Sequence, residues 1–250
     1  MSTRTALICL LYLAAIAGAE LLTALVDPLW GAIFHFAILL FLALNAAVVG
    51  KHPSGGLLLA LGLAPLIRIL NLAMPLAEFS QIYWYLLISV PLLAGIFAII
   101  ITLRLRPREI GLTMGAIPLQ VVVALVGIGL GLVDYLILKP EPLVSAFRWQ
   151  EIIAPALILL IATGFVEELA FRGVMQRASV QALGAWGWVY IAVVFSVLQI
   201  GHLSVLHGLF ALAVALLFGF IVKRTGSLLG VSLSHGLINV CLYLIFPFVF

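Results

Sequence analysis

The chain has 250 residues, of which 66% are hydrophobic and 8% charged, with a formal net charge of +3. A soluble domain carries about 25% charged residues, so these charges are too few to cover a polar shell. The composition also excludes a disordered chain, a collagen-like repeat and a disulfide scaffold. The 12 Lys and Arg are spread between apolar runs instead of forming a basic patch, which argues against a nucleic-acid partner.

A membrane-spanning helix needs about 20 apolar residues to cross about 30 Å of hydrocarbon. By that measure the chain is an all-α, polytopic transmembrane helical bundle of about nine spans. They cover roughly 5–26, 29–49, 55–74, 81–103, 117–138, 152–178, 186–204, 206–222 and 228–249. The breakers between them are Asp27-Pro28, His52-Pro53-Ser54-Gly55-Gly56, Pro107, Lys139-Pro140-Glu141-Pro142, Gly184 and Thr225-Gly226-Ser227. Only Gly201-His202-Leu203-Ser204 separates the seventh span from the eighth, and a merged pair would leave eight. The first apolar run, with Ala17-Gly18-Ala19, resembles a signal peptide, but its length reads as an uncleaved first span. In the fifth span Gly127, Gly129 and Gly131 are small residues for close helix contact, since no strand precedes them to make a nucleotide loop. Cys9 and Cys241 lie in apolar runs and are expected to be buried and unpaired.

With a cytoplasmic N-terminus, Arg4, Lys51, Arg104, Arg106, Arg108, Arg172, Arg177, Lys223 and Arg224 fall on or near the cytoplasmic side, against Lys139 and Arg148 outside. The expected location is a bacterial inner membrane, with lipid as the surrounding partner. No connection is long enough for a soluble domain. Residues 1–149 read as N-terminal transmembrane helices of unknown role and 150–250 as a transmembrane core that carries the concentrated polar groups.

Each ionisable group inside a span costs about 2.5–3.5 kcal/mol at the bilayer centre and calls for an explanation. Glu20 and Asp134 lie near span ends, where the interface would hydrate them. His35 reads as a lone packing imidazole, and Arg68 as half of an ion pair with Glu20 or Glu78. The polar groups of the C-terminal half are concentrated. Adjacent helical residues point about 100° apart, so Glu167 and Glu168 face different neighbours. Arg172, four residues after Glu168, can pair with it. Glu168–Arg172 is thus the expected supporting clamp and Glu167 the reactive carboxylate.

His202 ends the seventh span, and His235 and Asn239 share a face of the last one. At about 1.5 Å of rise per residue, these three and Glu167 can share one layer within the bilayer. His207, about 140° around a helix from His202, is read as a bystander. A carboxylate in an apolar cavity can take a proton from water. Two imidazoles can hold a divalent metal such as zinc with that carboxylate, making Glu167, His202 and His235 the candidate ligands. Alternatively they can orient a water and an oxyanion with no metal, to which an asparagine amide can donate. The expectation favours no tightly bound metal. Buried acid, base and imidazole groups also suit a small-solute transporter, or a non-catalytic immunity or scaffold protein.

The three segments Glu167-Glu168-x-x-x-Arg172, Leu198-x-x-x-His202 and His235-x-x-x-Asn239 resemble the motifs of the CPBP family, the type II CAAX prenyl proteases and their bacteriocin-processing and self-immunity relatives. Leu198 departs from the phenylalanine usual in the second motif. The resemblance covers about 150–245. It implies an intramembrane endopeptidase acting on a membrane-anchored protein or peptide. Glu167 and His202 would activate water, His235 and Asn239 would stabilise the oxyanion, and Glu168 and Arg172 would support the site. It does not imply that the substrate is prenylated.

Overall fold

The structure is a computed structural model that describes residues 3–76 and 79–250. These residues form helices and no strands. Two antiparallel helices open the fold, α1 (Thr3–Leu25) and α2 (Pro28–Val49). The turn between them is set by Asp27, whose carboxylate accepts the Leu29 N–H at 2.7 Å, with Pro28 filling the first helical position. Next come α3 (Pro53–Leu61) and α4 (Leu63–Ala73), two halves of one span. They are interrupted at Gly62, just before Pro65, which has no N–H to donate. Then follow α5 (Gln81–Leu103) and α6 (Ile117–Leu138).

The run Trp149–His202 is continuously helical in type over 54 residues. At about 1.5 Å per residue it would reach about 80 Å, well beyond a bilayer core. It doubles back instead. It comprises α7 (Trp149–Ile158), π-helical turns over Leu159–Glu167 and Leu169–Met175, α8 (Gln176–Leu183) and α9 (Gly187–Val197). Gly184 takes φ +67°, ψ −141°, a region open to glycine. Beyond it Gly187 lies so close to Ser179 that a Cβ would meet its backbone carbon at 2.4 Å, so α8 and α9 pack side by side. Finally come α10 (Val205–Thr225) and α11 (Leu229–Val240), the latter continuing as a π turn over Cys241–Ile245. Eight helical runs among the described residues are long and apolar enough to cross a membrane. The hairpin at Gly184 accounts for the ninth segment expected from sequence.

The second half of the π-helical stretch is the enclosed centre of the bundle, with Leu169–Met175 entirely buried. Large apolar side chains face outward around it, among them Phe41 (61% exposed), Ile101 (74%) and Leu125 (57%). In water so broad an apolar exterior would aggregate, and lipid chains are the solvent that suits it.

The polar pattern differs from expectation at two positions in the first half, whereas Arg68 pairs with Glu20 as one of its two expected partners. Glu20 is not at a hydrated end but wholly enclosed. Arg68 Nε donates to its Oε1 at 2.5 Å, and His35 Nε2 lies 3.1 Å from the same oxygen. His35 is therefore not a lone imidazole. Glu78 lies outside the described residues. Arg172, counted among the basic residues of the cytoplasmic side, is also buried.

Contacts near several of the other basic residues join segments distant in sequence. The Thr5 and Ser54 hydroxyls lie 3.2 Å apart, Arg177 Nη2 donates to Glu109 at 2.7 Å, and Thr113 donates to the Gly226 carbonyl at 2.8 Å. These contacts tie the chain near Arg4 to that near Lys51, and the 106–113 segment to Arg177 and to the turn after Arg224. The Arg106 backbone N–H, followed by Arg177, holds the Glu109 carboxyl below its ordinary range. Its stabilisation is present above the ordinary carboxylate pKa and is lost as pH falls through the lowered value.

Helix α11 packs between α6 and the π-helical stretch, and glycines set both crossings. A Cβ on Gly127 would meet the Ser234 carbonyl oxygen at 2.3 Å, and one on Gly131 would meet Cys241 Cβ at 2.8 Å, whereas Gly129 faces open space. Two of the three expected small contacts are therefore used. Gly131→Val is expected to cost about 1–3 kcal/mol by overpacking. A thermal melt in detergent checks this: the midpoint should fall by several degrees, and Gly129→Val should leave it unmoved.

Candidate active site

On the other side of α11, Gly164 and Gly236 face each other. A Cβ on Gly164 would lie 2.9 Å from Gly236 Cα, and one on Gly236 would lie 2.7 Å from Leu160 Cα. This backbone-to-backbone approach brings two short polar links across the interface. His235 Nδ1 lies 2.9 Å from Glu168 Oε1, and Asn239 Nδ2 donates to Thr163 Oγ1 at 2.8 Å. Thr163 donates its own proton to the Leu159 carbonyl at 2.5 Å, so toward Asn239 it can only accept. That fixes which way the amide points and leaves its second N–H uncommitted. The π-helical winding, with its i→i+5 bonding, widens the turn that carries Thr163 and both glutamates.

The clamp forms as the spacing predicts. Arg172 Nη1 donates to Glu168 Oε1 at 2.9 Å, with the carboxylate fully enclosed. The Arg172 guanidinium stands 4.6 Å from the Phe195 ring centroid and 5.8 Å from those of Phe171 and Phe218. An aromatic box around a desolvated cation strengthens its attraction. Glu168 thus has two partners, whereas Glu167 makes no hydrogen bond or ion pair among the described residues and is half-buried.

A cavity of about 630 Å³ opens beside the π-helical stretch. Glu167, Glu168, Arg172, His202, His235 and Asn239, the six residues singled out from sequence, all line it. The π-helical stretch, α11 and one 3-10 turn of the C-terminal half supply them. The first half contributes a wall through Arg68, Trp84, Tyr85 and Asp134.

His202 arrives by an irregular route. Helix α9 stops at Val197, a single 3-10 turn follows over Ile200–His202, and Leu203 adopts the left-handed conformation (φ 52°, ψ 26°). That conformation costs a non-glycine residue about 1–2 kcal/mol. It is held by Ser204, which caps α10 by accepting the His207 N–H at 3.2 Å. The turn folds His207 back onto His202, with ring centroids 4.5 Å apart. His207 Nδ1 lies 2.9 Å from Asp134 Oδ1, and both side chains are buried. His207, read from sequence as a bystander, thus lies against His202 on the cavity wall, and Asp134 is buried instead of hydrated at a span end.

Leu198 lines the cavity in place of the aromatic residue of the resembled motif. Phe195, one turn earlier, supplies an aromatic face there, edge-on to His235 at 6.2 Å. Sequence reasoning also missed Thr163, for which the one available signal was a hydroxyl four residues before Glu167 in an apolar run.

Zinc would need three or four close ligands. Among the described residues no three His, Cys, Asp or Glu side chains are grouped to hold a metal ion. Glu167, His202 and His235 share the cavity but are not assembled as a ligand set.

What the residues can do is hydrolytic. They comprise an uncommitted carboxylate, an accessible imidazole, a second imidazole held by an ion pair, and an oriented amide donor around one cavity. Comparison with known families gives one match, over residues 149–241, to the model described as Rce1-like, type II CAAX prenyl endopeptidase Rce1-like. That segment contains all six singled-out residues and excludes Arg68 and Asp134. No curated protein and no solved structure matches the chain.

Proposed function

We propose, from the match of residues 149–241 to the Rce1-like, type II CAAX prenyl endopeptidase model, that this integral membrane protein is an intramembrane endopeptidase of that kind. Its substrate is a membrane-associated protein or peptide, and its nucleophile is a water activated in the cavity. The observation that carries this reading is the division of labour between adjacent glutamates: Glu168 is bound to Arg172 and His235, whereas Glu167, with no such partner among the described residues, lines the same cavity as His202, His235 and Asn239.

In the proposed reaction Glu167 takes a proton from water as its oxygen attacks the scissile carbonyl carbon, with His202 orienting that water. The proton passes from Glu167 to the amide nitrogen as the C–N bond breaks. The oxyanion is met by the free Asn239 N–H and by His235. Since His235 Nδ1 donates to Glu168, its Nε2 can donate only from the imidazolium form. With His235 charged, two cations (Arg172, His235) balance two carboxylates (Glu167, Glu168), so the enclosed cluster is neutral overall. Helices of 1–149 form the wall opposite the 150–250 core and shape the entrance for a substrate arriving from the lipid. The N-terminus faces the cytoplasm.

The test is cleavage of internally quenched apolar peptides in detergent micelles by the purified protein. Two peptides are compared, one carrying a farnesyl thioether on its cysteine and the other bare, with products identified by mass spectrometry. Wild type is expected to cut at least one of them, and His202→Ala to lose about 10²–10⁴-fold in turnover. Proton-coupled uptake of a small solute in proteoliposomes, with no peptide cleavage, would overturn the reading.

A further inference from the structure

Asp134 and His207 line the cavity but have no place in the hydrolytic scheme. They come from different elements, α6 and the first turn of α10, and each side chain is 8% exposed. Asp134 also lies outside the segment that matches the family. His202, by contrast, sits at the end of one 3-10 turn, is exposed, and makes no side-chain hydrogen bond among the described residues. The close ring contact it does have is with His207, edge to face at 4.5 Å. An imidazole on so short a turn is free about both side-chain torsions, yet proton transfer needs one orientation.

We propose that His207, anchored by Asp134, is a positioning residue that holds the His202 ring in its working orientation. This rests on the role given to His202 above. The Asp134 carboxylate accepts from His207 Nδ1–H at 2.9 Å and so fixes the plane of the His207 ring. Ser204 fixes where that ring starts, by accepting the His207 backbone N–H. Anchored at both points, the ring is a rigid surface against which His202 is set. His207 Nε2 has no hydrogen-bond partner among the described residues, and the ring lies at the cavity wall. The arrangement also gives the first half of the chain a specific task, because α6 carries the anchor.

The test uses whichever quenched peptide wild type cleaves. Asp134→Ala and His207→Ala are each expected to lower kcat about 10–100-fold with KM unchanged, as a misplaced group does. Asp134→Asn keeps an acceptor for the Nδ1 proton and should restore most of kcat. His207→Phe keeps a ring but loses the anchor and should not. A second readout needs no turnover: carbethoxylation of His202 by diethyl pyrocarbonate, followed by peptide mass mapping, should be faster in Asp134→Ala than in wild type or Asp134→Asn. If His207→Ala fails to elute as a folded species, the Asp134 pair decides alone, since it leaves the ring in place. Wild-type kcat in Asp134→Ala, or a loss confined to KM, overturns the positioning role and leaves the hydrolytic scheme standing. Wild-type turnover in His202→Ala overturns the scheme itself.

Discussion

Glu167→Gln is expected to lower turnover about 10²–10⁴-fold while leaving the melting temperature unchanged, because the substitution removes a general base and nothing else. Glutamine has nearly the same shape and can still hydrogen-bond a water, but it cannot accept the proton that must leave as the water attacks. A drop of about 10³-fold corresponds to about 4 kcal/mol of lost transition-state stabilisation. The structural cost should be small for a visible reason: Glu167 has no hydrogen bond or ion pair to lose and opens into the cavity. The same change at Glu168 removes a charge that binds both Arg172 and His235 and should hurt folding as well as activity. Kinetics on the quenched peptide, with melts in the same micelles, separate the two. If Glu167→Gln turns over at the wild-type rate, Glu167 is not the base, and a transport or scaffold role becomes the better account of the polar cluster.

Much of this site was legible in the sequence because helices impose fixed angular steps. The divergence of Glu167 from Glu168, the Glu168–Arg172 pair and the common face of His235 and Asn239 all follow from spacing, and the residues occupy one cavity. The break at Gly184 was readable because glycine is the residue that tolerates its backbone angles. What failed was the same rule applied where the chain is not helical. Placing His207 by angular steps from His202 assumes a continuous helix, but Leu203 is left-handed and Ser204 extended, so the count across 202–207 has no meaning. The Glu20–Arg68 pair was one of the two pairings expected for Arg68, but its third member, His35, was hidden, because it lies on a separate helix and alone looks like a packing imidazole. The π-helical winding was hidden too, because it depends on how closely Gly164 and Gly236 allow two backbones to approach.

Arg172→Met is expected to be the most destabilising single change near the site, at about 3–5 kcal/mol, the usual cost of stripping one partner from a buried ion pair. Glu168 is fully enclosed, and with the guanidinium gone His235 alone faces its charge. The three phenylalanines around Arg172 would then pack against a thioether instead of a cation. For a chain of this size about 2–4 °C is lost per kcal/mol, so the melt should fall by roughly 6–20 °C. Arg172→Lys should recover only part of this, since an ammonium keeps the charge but not the planar face that stacks on Phe195. The informative partner is the double variant Glu168→Gln with Arg172→Met. Removing both charges leaves no uncompensated carboxylate and should restore most of the stability. It should not restore turnover, because His235 then has no carboxylate to hold its Nδ1 proton or to favour the imidazolium that meets the oxyanion. A stable double variant that remains inactive would show that the Glu168–Arg172 pair orders His235 for chemistry as well as closing the helix packing. Restored activity would reduce the pair to a structural tie.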